Sequence, residues 1–354
     1  MHGGPNPVIG ATVTLYATET IASPSSANHY GYGVAGQVLG STTTDSNGAF
    51  SFTGDAVNCP DGQQAYIVAA GGYTGSFSSQ NSAALLMAAL GPCGGISDTT
   101  QVIIDEPTTI AAAYAIGQFM SISGTGATAQ VNISAPANNN GTTASSGAAG
   151  ACTTSGGVTT GCVAAGLAHA FLNAANLVNS TTGVANSTLA NTSTFMATVP
   201  QALINTLANS VEACINSNGD ATMPTAPCTT LMTDTTPTAE VASPTAPANT
   251  LQALLDLAQY PSQAVDVAPS AATTALFNVA NSNAYYSPAL TSAPLDFTIA
   301  IAYVLWSNDG VVMSPWGIAT DIDDNVYIFM GIGSKAQTHS LANIVQSVDS
   351  LPMG

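Results

Sequence analysis

The sequence predicts an α+β fold in three parts: β structure over residues 1–75, a mostly helical middle over 76–290, and a short β segment over 291–354. Three observations carry this. Short β-branched and aromatic runs, separated by Gly, Asn and Asp turns, fill the first part. Longer stretches with apolar residues three and four apart, bounded by helix start and stop signals, fill the second. After Phe297 the pattern returns to short apolar and aromatic runs.

In the first part Val13–Tyr16 reads as a strand. Gln37–Thr43 leads into Asp45-Ser46-Asn47-Gly48, a turn signal, and Ala49–Phe52 reads as the returning strand. Ala65–Ala70 is an apolar strand ended by Gly71-Gly72. In the middle, Asn81–Leu90 reads as a short apolar helix, with Asn81 or Ser82 as N-cap and Gly91-Pro92 as its stop. Pro107–Phe119 follows Asp105-Glu106, acids where a helix N-terminus favours them. Further helices are expected at Cys162–Val178, Pro200–Asn216, Thr250–Gln259 and Pro269–Ala280. Pro200–Asn216 has the clearest stripe: Leu203, Ile204, Leu207, Val211 and Ile215. Residues 134–160 have the composition of a polar linker. Strands close the chain at Phe297–Leu305, Pro315–Ala319 and Asn325–Met330.

The N-terminal part resembles a carboxypeptidase-regulatory-like domain, a transthyretin-like (immunoglobulin-type) β-sandwich of secreted bacterial proteins. The residues that carry this are Pro7, Gly10, Ala11 and Val13, then Thr42, Thr43, Asp45, Gly48, Phe50 and Phe52. In that pattern a strand precedes Pro7, and here it is nearly absent. The resemblance therefore implies a sandwich lacking its first strand, with another segment to complete it. The middle is similar to the helical region of secreted acidobacterial proteins with NHL repeats, in "ALLMAALGPCG" (84–94), "EPTTIAAAYAI" (106–116), "LINTLANSVEACINS" (203–217) and "NTLQALLDLAQYP" (249–261). "PWGIATDIDDNVYI" (315–328) resembles the start of one NHL repeat. A propeller needs at least about four blades, so a truncated repeat is expected to pack on the rest of the chain or on a neighbour.

Charge excludes several functions. Only 6% of residues are charged, Lys335 is the sole Lys or Arg, and the formal net charge is −18. One cation cannot neutralise a phosphate backbone, so nucleic acid is not an expected partner. Anionic membranes and Arg- or Lys-clamped phosphate chemistry fall with it. No apolar run is long enough to span a bilayer. With 46% hydrophobic residues the chain still has material for a core. Its polar residues are mostly Ser, Thr, Asn and Gln, which stay neutral at any ordinary pH and leave trypsin-like proteases one site.

Six cysteines form three sequence-near couples: Cys59 and Cys93, Cys152 and Cys162, Cys214 and Cys228. None has zinc-ligand spacing. An even count in such a chain reads as disulfides formed in an oxidising compartment. About 15 connectivities are open, and nearest-neighbour pairing is the expectation. The opening residues carry no apolar leader core, so the chain reads as a mature extracellular or cell-surface protein whose signal sequence lies outside it.

Chemical motifs are sparse, and each has a bland explanation. Asp321, Asp323 and Asn325 start a calcium-loop pattern, but Val326 replaces its glycine and no closing Glu follows. A hairpin turn is expected there, with no cofactor or metal. Gly331–Ala336 and Gly124–Ala129 match G-x-G-x-x-A without the βαβ context that phosphate binding requires. There is no G-x-S-x-G, and His169 sits in an Ala-rich helix. Tyr285-Tyr286 and the His29–Tyr32 stretch could stack on sugars. No catalytic residues are expected. The resulting expectation is a non-enzymatic extracellular structural protein: a filament subunit, partnered by copies of itself through a donated β-strand, with 325–330 or 297–305 as donor. A secreted module binding surface carbohydrate is the alternative.

Overall fold

A computed structural model of the chain describes residues 1–21, 33–52, 59–75, 79–136, 153–155, 158–160, 164–189, 195–219, 226–237, 245–261, 269–282, 284–305, 313–320, 326–332 and 345–347. In chain order the main strands are β1 (Thr12–Ala17), β2 (Glu19–Ile21), β3 (Gln37–Thr43), β4 (Gln64–Ala70), β5 (Leu85–Pro92), β6 (Met120–Ser123), β7 (Gln130–Pro136), β8 (Phe195–Thr198), β9 (Ala302–Leu305), β10 (Met313–Thr320), β11 (Val326–Ile332) and β12 (Val345–Ser347). The helices are α1 (Glu106–Ile116), α2 (Ala165–Leu177), α3 (Gln201–Ile215), α4 (Pro227–Asp234), α5 (Thr250–Gln259) and α6 (Ala271–Ser282). The chain is thus α+β, with several small sheets.

The largest sheet is antiparallel, in the order β3-β1-β4-β5. Alternation sorts its faces. Leu15 lies opposite Ile67, and Ile67 opposite Ala88. Tyr16 lies opposite Tyr66, their rings stacked with centroids 5.0 Å apart. The Tyr66 hydroxyl donates to the Val131 carbonyl at 2.9 Å, tying this sheet to β7 of the small β2-β7-β6 sheet. Helices α1, α2 and α5 pack against β5, while α3 packs on α1, α4 and α6. One apolar core runs through both, from Val8 and Val13 to Leu276 and Phe297.

Strand β5 corrects the sequence reading, which expected a helix over Asn81–Leu90. Leu85, Leu86, Met87 and Ala88 are all buried. A short run that is apolar on every face has no period to separate helix from strand. The exposed edge of β4 claims it instead. Two hydroxyls then complete its outer side. The Thr109 Oγ1 of α1 accepts from Met87 N–H at 3.0 Å; its own proton goes to the Asp105 carbonyl at 2.6 Å, with the Met87 carbonyl farther off at 3.3 Å. The Thr250 Oγ1 of α5 accepts from Leu85 N–H at 3.1 Å and donates to the Leu85 carbonyl at 2.7 Å.

Three smaller differences follow the same logic. Ala49–Phe52 leaves the Asp45–Gly48 turn but forms no ladder among the described residues; Phe50 and Phe52 meet edge to face at 6.2 Å instead. Only Ala302–Leu305 of the expected 297–305 strand is extended and paired, with β8. Helix α4 was not expected, its Thr-rich sequence offering little apolar stripe beyond Cys228, Leu231 and Met232. The expected helices over 107–119, 162–178, 200–216, 250–259 and 269–280 are all present within a few residues.

Candidate functional site

The most unusual chemistry gathers at the N-terminus of α1. Asp105 caps that helix: its Oδ1 accepts from Thr108 N–H at 3.0 Å, and the Thr108 hydroxyl accepts from Asp105 N–H at 3.0 Å. This reciprocal box satisfies two backbone donors and explains why the helix begins there. Glu106, the next residue, is 0% exposed. Its Oε2 accepts from the Tyr286 hydroxyl at 2.5 Å and from Gly4 N–H at 3.2 Å. Its Oε1 is buried with no hydrogen-bond partner.

Tyr286 reaches this point because Asn209 of α3 holds its backbone. Asn209 Oδ1 accepts from Tyr285 N–H at 3.0 Å and Tyr286 N–H at 2.7 Å, and its amide donates to the Tyr286 carbonyl at 3.1 Å. Gly4, with φ of +55°, sits between two acids: a Cβ there would lie 2.7 Å from Glu212 Oε1. Glu212 in turn accepts from the Asn216 amide at 2.6 Å.

No described Lys or Arg stands near these carboxyls, because the chain has only Lys335. Burial is therefore the governing effect, opposed among cations by the Met1 α-ammonium, which acts on Asp105. It pushes Glu106 up to about 8 and Asp105 to about 6, although hydrogen bonds from Tyr286 and Thr108 pull the other way. It also raises Asp256 of α5 to about 7, and Glu19 and Asp234 move up for the same reason. Every carboxyl with a resolved shift is displaced toward its neutral form. Among the described residues no group of His, Cys, Asp and Glu is placed to hold a metal ion.

Two of the expected disulfides are present: Cys59–Cys93, with Cα atoms 5.1 Å apart, and Cys214–Cys228, at 4.5 Å. Cys152 and Cys162 lie outside the described residues, as do Asp321, Asp323 and Asn325, the His29–Tyr32 stretch, Gly333–Ala336 and most of the 134–160 linker. Asp45 closes its turn as expected, its Oδ1 accepting from Asn47 and Ala49 N–H. Gly124–Ala129 is the turn between β6 and β7. Of the two tyrosines considered for sugar stacking, Tyr286 is committed to Glu106 and Tyr285 is half exposed. The Glu106–Tyr286 contact was invisible to sequence reading, since it spans 180 residues. The signal in the sequence was indirect: a chain with one lysine and no arginine has mostly neutral donors with which to satisfy a buried acid.

A cleft of about 640 Å³ opens on the large sheet beside β3, lined by Leu15, Leu39, Ile67, Leu90, Phe50 and Val102 among others. Beyond β3 no further strand joins this sheet among the described residues. Both expected donor segments are engaged within the chain: Ala302–Leu305 pairs with β8, and β11 lies between β10 and β12. Among the described residues no helix is long and apolar enough to cross a membrane.

The fold and these sites describe a disulfide-bonded α+β protein with buried acids that no described Lys or Arg neutralises. Comparison with known proteins adds no relative: no family, curated protein or solved structure matches this chain.

Proposed function

We propose that this chain is a non-enzymatic, extracellular structural protein, the subunit of a homopolymer assembled by strand addition at β3. In this reading residues 1–75 are the transthyretin-like unit, with β5 added to its large sheet from the next part, the helices of 76–290 brace it, and 291–354 is the source of the added strand. The observation that carries it is the asymmetry of the large sheet. Its β5 edge is sealed by Thr109 and Thr250, whereas β3 has no partner on its outer side among the described residues. Strand β3 is seven residues long, contains no charge, and exposes 58% of Val38. Natural edges are usually blunted by lysine, proline or a covering element. An uncharged edge beside a cleft of mixed apolar and polar lining supports backbone pairing with small neutral side chains set into the cleft. The two disulfides and the near absence of cationic protease sites favour an extracellular setting. In the donor part, β10 is an outer, uncharged strand; Pro315 and the register shift beside it interrupt its first half, so Gly317–Thr320 is the favoured partner.

Negative-stain microscopy of concentrated protein tests this. Filaments are expected from the parent chain, with dispersed particles from Val38→Lys, whose side chain is exposed enough to spare the fold. Dispersed particles from both would overturn the proposal. Because the contacts are uncharged, polymers are expected to survive moderate salt at neutral pH.

The second reading, a carbohydrate-binding module, draws on the half-exposed ring of Tyr285, braced edge to face on Tyr286 at 4.9 Å. Saturable glycan-array binding lost in Tyr285→Ala, with no polymer formed, would favour it.

A further inference from the structure

We propose that Glu106 is a proton-operated clasp: as a neutral acid it fastens residues 284–290 to the helices, and as an anion it releases them. The argument rests on what holds that segment. Helix α3 grips it with neutral side chains. Asn205 donates to the Pro288 carbonyl at 2.9 Å, Thr206 Oγ1 accepts from Leu290 N–H at 2.8 Å, and Asn209 clamps Tyr285 and Tyr286. None of these titrates. The Glu106–Tyr286 bond is the titratable fastening among those described.

The surroundings of Glu106 decide which form suits the closed state. On its own helix the neighbour is Asp105; from the 284–290 segment it is Tyr286; from α3, across Gly4, it is Glu212. The N-terminal segment, which reaches Glu106 through Gly4, adds the Met1 amine and His2; the amine acts on Asp105, and the charges that bear on Glu106 itself are acidic. Oε2 already accepts two hydrogen bonds while Oε1 has none. That asymmetry matches a carboxylic acid with its carbonyl at Oε2 and its proton at Oε1. An anion would place a second full charge, without counter-ion, in a wholly buried site. The phenol favours the anion, but burial outweighs it and lifts the group to about 8.

Linkage gives the sign. In the closed state the acid keeps its proton to about pH 8, and in the released state it loses it at an ordinary carboxyl value. Between those limits each pH unit favours release by up to about tenfold, and above them the effect levels off. The clasp therefore holds in acid and slackens toward alkaline pH, whether or not the chain polymerises.

Hydrogen exchange of residues 284–290 in the full chain, corrected for intrinsic rates and followed from pH 5 to pH 9, tests this. The expected result is a rising opening equilibrium that reaches a plateau near pH 8 in the parent. Glu106→Gln keeps an acceptor for Tyr286 but cannot ionise, and its exchange should be flat. Tyr286→Phe removes the donor that favours the anion, so its plateau should move to higher pH. Infrared spectra at neutral pH should show a carboxylic-acid band that Glu106→Gln diminishes. Flat exchange in the parent, or an unchanged rise in Glu106→Gln, overturns the proposal. Should Glu106→Gln fail to fold, a plateau unmoved by Tyr286→Phe overturns it instead.

Discussion

Asn81 and Cys214, 133 residues apart, are joined by a 2.8 Å hydrogen bond from the Asn81 amide to the Cys214 carbonyl. The same amide reaches the carbonyls of Ile215 and Ser217, at 3.2 and 3.3 Å. These are acceptors at the C-terminal end of α3, outside its regular ladder; the Cys214 carbonyl also accepts from Ser217. Asn81 Oδ1 meanwhile accepts from Ala83 N–H at 2.9 Å. The residue expected to start one helix thus ends another, and it fastens the approach to β5 onto α3.

Asn81→Ala should therefore destabilise the protein by about 1–3 kcal/mol, because it strips partners from buried backbone groups at a site that is 1% exposed. A denaturant midpoint unchanged from the parent would contradict this role.

The threonines on β5 allow a sharper comparison. Thr109→Val and Thr250→Val keep the side-chain shape and remove only the hydroxyl. Thr109→Val leaves the Met87 N–H unpaired and Thr250→Val leaves both the N–H and the carbonyl of Leu85 unpaired, and each should lower stability by about 1–3 kcal/mol. The sites lie on the same strand, so the double variant is expected to deviate from additivity. Thermal or urea unfolding of the three variants provides the check.

Gly183 sits in a turn with φ of +69°, where a Cβ would collide with the Asp105 carboxyl. Gly183→Ala should destabilise by more than about 1 kcal/mol. It should also disturb the α1 cap, so amide exchange in the first turn of α1 should rise beyond that in α6. Equal changes in both helices would argue against a local effect.

Acidity should stabilise this protein. Asp105, Glu106 and Asp256 have folded-state values raised to about 6, 8 and 7. A raised carboxyl contributes stability that is full below its unfolded value and is lost as pH rises through its folded value. The unfolding midpoint should thus decline between about pH 4 and pH 8. Asp256→Asn should remove part of that decline, measured as the difference in midpoint between pH 5 and pH 8. A parent protein more stable at pH 8 than at pH 5 would refute carboxyl burial as the governing effect.

Helices were readable where a local signal sufficed. The acids and proline before α1, and the Leu203–Ile215 stripe of α3, need no knowledge of the rest of the chain. Strand β5 was not readable, because its choice between helix and strand depends on β4 and on two distant threonines. Helix α4 was lost for a different reason: eight residues with four apolar or sulfur-bearing positions give no clear period. The Glu106 site needed both kinds of information. Sequence placed Asp105 and Glu106 at a helix start, and it explained them by dipole electrostatics. That holds for Asp105, whereas Glu106 is decided by Tyr286 and Gly4, which only the tertiary fold brings near. The disulfides Cys59–Cys93 and Cys214–Cys228 were readable from spacing alone.

Among the described residues the large sheet has one sealed edge and one edge without a partner strand, and this constrains the geometry of anything it builds. Pairing β3 with β3 of another copy is self-complementary and stops at two. Pairing β3 with a different strand is head-to-tail and need not stop. A polymer made in the second way is directional: one end displays a vacant β3 and the other a vacant donor. The two ends would elongate at different rates, and an excess of isolated donor peptide would halt growth at one end only.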